Sequence, residues 1–149
     1  MSSVPKSKPG LLAHYVLTQL DQLDETTERK IKTSLPADDP QATIDHIKDG
    51  LAEGRTVLID VENHEGEKLG FTIYEIIETT HGKEFLSIAS LARDSRNMTQ
   101  EFIPHFEEIA RQNDCSTLRL HTLRAGLVRE LVAMDWEVSE VVMRKRILK

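Results

Sequence analysis

Cysteine is nearly missing from this chain: Cys115 is the single one among 149 residues. One thiol closes no internal disulfide and builds no thiolate zinc cage. Glycine is scarce as well, with 7 residues, so glycine-rich phosphate loops have little material to draw on. Apolar runs are only a few residues long, too short to span a bilayer. The opening stretch, Met1–Gly10, is rich in Ser, Lys and Pro and lacks the apolar centre of a secretory signal, so the expected address is the cytoplasm. Bases are in deficit, 19 against 25 acids, for a net charge of −6. That balance speaks against a general nucleic-acid-binding surface and against a basic helix lying on a membrane.

What is present fits one soluble globular unit. Apolar residues make up 39% and charged residues 30% of the chain, and the length corresponds to a single domain. Residues 1–10 read as a flexible leader and 11–149 as one domain. Leu11–Leu20 is apolar and suits either a strand or the start of a helix. Leu20, Leu23, Thr27, Ile31 and Leu35 recur at helical spacing, with acids from Asp21 to Glu28 and bases from Arg29 to Lys32, in the order a helix dipole favours. Asp39 followed by Pro40 predicts a capped helix start; Ile44, Ile47 and Leu51 form its inner face, and Gly54 its stop.

The period then changes. Thr56–Val61, Leu69–Ile77 and Glu84–Ala92 read as three strands of an antiparallel meander, joined by turn chemistry at Asn63–Glu67 and Thr79–Lys83. Phe71, Ile73, Glu75 and Ile77 share one face of the middle strand. Helical spacing returns at Met98, Phe102, Phe106, Ile109 and Ala110. Asn97 with Gln100 has the spacing of a capping box, and Pro104 predicts a late start or a kink. Thr117–His121 is a short strand, Leu123 or Ala125 to Met134 a helix, and Trp136–Ile147 a long terminal strand. The expected fold is α/β: a mixed, mostly antiparallel central sheet with helices on both faces.

Phe106–Arg111 running into Thr117–Leu120, and Arg124–Arg129 followed by Leu131–Trp136, resemble the third helix, fifth strand and last helix of the GNAT (Gcn5-related N-acetyltransferase) superfamily, with Asp135-Trp136 at the family's usual Gly-Phe position. The resemblance spans about Leu11 to Ile147. It implies an acetyl-CoA site at the start of the third helix, where family members carry Arg/Gln-x-x-Gly-x-Gly/Ala and backbone N–H groups meet the pyrophosphate. Here that loop falls on Asp94–Thr99. Asp94 replaces the leading base, Asn97 the first glycine and Thr99 the second. Arg93 and Arg96 offer guanidinium groups to phosphate, Ser95 and Thr99 offer hydroxyls, and Met98 completes the segment. Cofactor-binding candidates are therefore Arg93, Ser95, Arg96, Asn97, Met98 and Thr99.

The transfer needs a base for the amine and an acid for the departing thiolate. Many family members use a tyrosine of the last helix as the acid; Leu131 stands at that position. Glu84 and His121 are the catalytic candidates, with Glu75 a further carboxylate. Their competing readings are solvent-facing strand residues for the two glutamates and a half-buried strand end for His121. The histidines show no metal-ligand spacing, and no metal is expected. Cys115 reads as a small buried hydrophobe, and Trp136 as a core anchor where the last helix ends. Arg144, Lys145, Arg146 and Lys149 form the one basic cluster; with the acidic stretch Asp21–Glu28 it suits a protein partner or a homo-oligomer.

The altered loop and the missing tyrosine lead to a degenerate, non-catalytic GNAT-like protein serving as an interaction or structural component, of the kind that resembles small proteins of tailed bacteriophages with a virion or assembly role. The alternative is an N-acetyltransferase that moves an acetyl group from acetyl-CoA to an unidentified amine.

Overall fold

The computed structural model describes residues 11–12, 15–34, 39–92, 95–121, 125–140, 143, 145 and 147; the leader expected over residues 1–10 lies outside them. The ambiguous first segment is two strands, β1 (Leu11–Leu12) and β2 (Tyr15–Leu20). Helix α1 (Glu25–Ser34) follows, its first turn capped by Asp24, whose Oδ1 accepts from the Thr27 amide at 2.7 Å. Helix α2 (Pro40–Glu53) begins and ends where its punctuation predicts. Asp39 accepts from the Ala42 amide at 3.1 Å, and Gly54 closes the helix in the left-handed region at φ 76°, which only glycine adopts without a Cβ penalty.

The meander is β3 (Thr56–Glu62), β4 (Lys68–Thr79) and β5 (Gly82–Ala92). Helix α3 (Ser95–Gln112), strand β6 (Cys115–Leu120) and helix α4 (Ala125–Ala133) complete the order. The sheet runs β1-β2-β3-β4-β5-β6 in space. Every neighbouring pair is antiparallel except β5 and β6, which are parallel because α3 crosses between them.

Apolar side chains on the two sheet faces feed two cores. On one face Ile31 of α1 and Ile44 and Ile47 of α2 cover Leu58, Phe71, Ile73 and Ala89. On the other, Phe102, Ile103, Phe106, Ile109 and Ala110 of α3, with Leu131 of α4, cover Tyr15, Leu17, Val57, Ile59, Val61, Tyr74 and Phe85. Tyr74 stacks on Phe85 with ring centroids 4.6 Å apart.

Two expectations are corrected here. Helix α3 begins at Ser95 rather than at an Asn97 cap, and it continues through Pro104. The terminal strand expected over Trp136–Ile147 is not formed by any described residue of that stretch. Helix α4 ends with Asp135 left-handed at φ 69°, the Trp136 amide reaching back to the Leu131 carbonyl at 3.0 Å and the Asp135 amide to Val132 at 3.2 Å. Asp135 thus performs the reversal that glycine usually serves. Beyond Trp136, which packs on the α3–α4 core, Val138, Met143 and Ile147 stand exposed. Each of these three side chains stands in water, and strand propensity without a surface to cover is weak.

Candidate active site

The strands β5 and β6 part at a defined point. Their parallel pairing runs from Lys83↔Cys115 to Ser87↔Leu120, and β6 ends there. Strand β5 continues to Ala92, still paired on its other side with β4 up to Gly70↔Ala92. At the same point the β4–β5 register shifts: Tyr74 faces Ser87 and Ile73 faces Ala89, leaving Ile88 as the extra residue of a β-bulge. A bulge bends its strand and increases local twist. Among the described residues nothing pairs with the β6-facing edge of residues 88–92, which lies at the carboxyl ends of two parallel strands, the place where open α/β sheets hold ligands.

Helix α3 starts just past that edge. Its first-turn amides lack intrahelical partners and carry the positive end of the helix dipole, and its first turn contains no acidic residue. Of the cofactor candidates, Arg93 lies outside the described residues, as does Asp94. Ser95, Arg96, Asn97, Met98 and Thr99 supply the backbone of the opening turns of α3; their side chains are outside the description. Asn97 and Thr99 are not among the residues with positive φ. In a helix a Cβ points out from the axis, so the backbone here makes no demand for glycine.

The closed half of the strand pair is clasped by charge. Glu84 accepts from Arg119 Nε at 3.0 Å, from Arg119 Nη2 at 2.6 Å and from Thr117 Oγ1 at 3.0 Å. Both carboxylate oxygens are thereby engaged across the parallel pair, on the side away from the opening. His121 directly follows β6 at the mouth of the opening and is more than half exposed, with Nε2 3.6 Å from Glu140 Oε1; Arg119 Nη1 lies 3.7 Å from the same oxygen.

Glu75 is not solvent-facing. It is 5% exposed, on the α1–α2 face of β4. Its Oε1 accepts from Thr56 Oγ1 at 2.7 Å and Arg55 Nη1 at 3.4 Å and lies 2.8 Å from His46 Nε2. The signal was present in its alternation: Glu75 shares parity with Phe71 and Ile73, which are buried. His46 carried no signal of its own, since it sits beside the apolar stripe of α2 rather than in it.

Leu131 is buried at the position where the resemblance calls for an acid, and Tyr15 and Tyr74 are buried too. Cys115 is half-buried against the core, and burial pushes its thiol above the ordinary value, with Asp114 and Glu84 adding to the effect and Lys83 opposing it. Among the described residues no group of three or more His, Cys, Asp or Glu is arranged to hold a metal ion, and no helix is long and apolar enough to cross a membrane.

His105 of α3 lines a small cavity with Leu17, Ile59, Thr72, Tyr74 and Phe102. Burial lowers its pKa below the usual 6.5. The unfolded chain therefore takes up this proton first as pH falls, and the native state loses stability from about pH 6.5 downward until the folded-state pKa is passed. His105→Leu is expected to shrink the fall in Tm between neutral pH and pH ~5; an equal fall in variant and parent would remove His105 as its source.

No family model matches the chain, and no curated protein matches it. Solved structures do. AAC(6')-Iy, in complex with the bisubstrate analogue CoA-S-monomethyl-acetylneamine, is 14% identical, with a TM-score of 0.58 over 92% of this chain and 100% of that one. The fold is that of the GNAT acetyltransferases. A predicted acetyltransferase from Clostridium acetobutylicum, solved with acetyl-CoA, is 8% identical, with a TM-score of 0.57 over 89% of this chain and 96% of that one. A transcriptional regulator from Bacillus halodurans C-125 is 13% identical, with a TM-score of 0.62 over 90% of this chain and 100% of that one. At such identities the likeness is one of architecture, and the GNAT fold leaves the activity to be argued from the site.

Proposed function

We propose that the protein is an N-acyltransferase that uses acetyl-CoA as donor and a primary amine as acceptor. The observation that carries this is the coincidence at Ile88: the bulge, the end of β5–β6 pairing and the approach to the α3 N-terminus fall together. The open edge of residues 88–92 offers backbone N–H and C=O groups to an extended, amide-bearing chain such as pantetheine, in the manner of an added strand. The first turn of α3 offers amides to a pyrophosphate. Asp94, Asn97 and Thr99 depart from the family's loop residues, but 97 and 99 lie in the helical backbone of α3, which has no positive φ at either position to call for glycine. Acceptor and donor would meet at Ser87 and Leu120, where the strands separate.

The non-catalytic reading is favoured by one observation. Leu131 and both tyrosines are buried in the core, so protonation of the departing thiolate falls to solvent. Isothermal titration with acetyl-CoA distinguishes the readings. The expected result is saturable binding with a Kd between about 1 μM and 1 mM, the range in which enzymes hold substrates. No heat at millimolar acetyl-CoA would overturn the proposal. Binding without thiol release in the presence of amines would assign the protein to the non-catalytic reading.

A further inference from the structure

The buried carboxylate of Glu75 has a second feature beyond its burial. Three donors converge on one oxygen: the Thr56 hydroxyl, the Arg55 guanidinium and the His46 imidazole. A carboxylate taken out of water is tolerable when donors surround it, so Glu75 is held in one orientation by β3 and its approach. His46 is held in turn, through Nε2, while its side chain remains about half exposed at 51%. With Nε2–H given to the carboxylate, the lone pair sits on Nδ1 and faces away from Glu75. A carboxylate behind an imidazole fixes its tautomer and ring orientation.

By register the pair stands level with the start of the opening, with β5 between Glu75 and the open edge. Glu75 stands opposite Leu86, and the next register pair is Tyr74↔Ser87, where the β5–β6 pairing ends. On this face α1 and α2 pack on Leu58, Phe71, Ile73 and Ala89, while β6 presents Thr117 and Arg119 beside Glu84. The charged groups that face His46 are Glu75 from β4 and Arg55 from the link into β3. On its own helix Asp45 adjoins it and Asp49 lies about one turn on, and Glu53 holds Arg55 at 2.9 Å.

The geometry points to His46 as the general base for the acceptor amine, with Glu75 as its positioning residue; the inference rests on the acyl-CoA reading above. An acceptor ammonium gives one proton to His46 Nδ1. The freed nitrogen lone pair attacks the thioester carbonyl carbon, the C–N bond forms and the C–S bond breaks. A second proton leaves nitrogen and ends on the CoA thiolate, and His46 returns the first to solvent. Amine and thioester become amide and thiol.

The test uses the full chain, acetyl-CoA and a panel of primary amines comprising an alkylamine, a polyamine, an amino sugar and a lysine peptide. Thiol release is followed from mildly acidic to alkaline pH. In the parent, kcat/KM is expected to rise with pH through an ionisation. His46→Gln, which keeps an N–H for Glu75, should lower kcat by about 10²–10⁴-fold and abolish that rise, with Tm and acetyl-CoA affinity unchanged. Glu75→Gln should lower kcat by a smaller factor, again without loss of acetyl-CoA affinity. A His46→Gln enzyme with the parent's rate and pH profile would overturn the inference and leave the acyl-CoA reading standing. Bound acetyl-CoA with no amine raising thiol release above the protein-free rate would overturn it too. Failure of acetyl-CoA to bind would instead strike the reading beneath it.

Discussion

Gly50→Ala is expected to destabilise the protein by about 2–4 kcal/mol, although alanine is the better helix former by about 1 kcal/mol. Gly50 lies in the last turn of α2, pressed against the start of β3. A Cβ built there would stand 1.8 Å from Thr56 Oγ1, 2.8 Å from Thr56 Cβ and 3.0 Å from Arg55 Nη1. Thr56 is buried and gives its hydroxyl to Glu75, so it cannot yield without leaving a buried carboxylate short of a donor. Overpacking of this kind costs about 1–3 kcal/mol, and a lost hydrogen bond to a charged group about 1.5–3 more. The Tm should fall by roughly 4 °C or more, while Asp49→Ala, one residue earlier and exposed, should change stability by under about 0.5 kcal/mol. A Gly50→Ala protein as stable as the parent would mean that α2 lifts from the sheet at little cost.

The opposite sign is expected at Pro104. This residue lies within α3 on its exposed side, between the buried Ile103 and Phe106. Its ring removes one helical hydrogen bond and crowds the preceding turn, a handicap of up to about 3 kcal/mol against alanine. Part of that is offset because proline restricts the unfolded chain, by about 0.4–1 kcal/mol. Pro104→Ala should therefore gain about 1–2 kcal/mol and raise Tm by roughly 2–8 °C. Thermal unfolding decides it: an unchanged or lower Tm would show that α3 accommodates the proline at no cost.

Local signals made much of the fold legible. Asp39, Pro40 and Gly54 bracketed α2 because caps and stops are short-range chemistry. The strands from Thr56 to Ala92 were readable from β-branched runs between turns, and the inner face of α3 from Phe102, Phe106, Ile109 and Ala110. The site was less legible, for two physical reasons. The extra residue at Ile88 leaves no compositional mark, because Leu86–Leu91 reads equally well as regular strand. The role of Glu75 depends on His46, Arg55 and Thr56, which reach it from a helix, a link and a neighbouring strand. Its parity with Phe71 and Ile73 placed it on a buried face, yet its charge suggested water. At the end of the chain, Val138, Met143 and Ile147 had the residue types of a strand, yet they stand exposed with no surface to cover.

Ile88 has a consequence for the strand that carries it. Phe85 and Ala89 are four positions apart and would share a side in a regular strand, yet Phe85 belongs to the α3–α4 core and Ala89 to the α1–α2 core. The one extra residue shifts the phase of β5 by half a period. Phe85 points toward α3 and Ala89 toward α2, so one strand supplies each core with a residue of the same parity. Removing Ile88 would make Ser87 and Ala89 direct neighbours on opposite faces, so Ala89 and Ser90 would keep their present sides while the bend at which β5 leaves β6 would be lost.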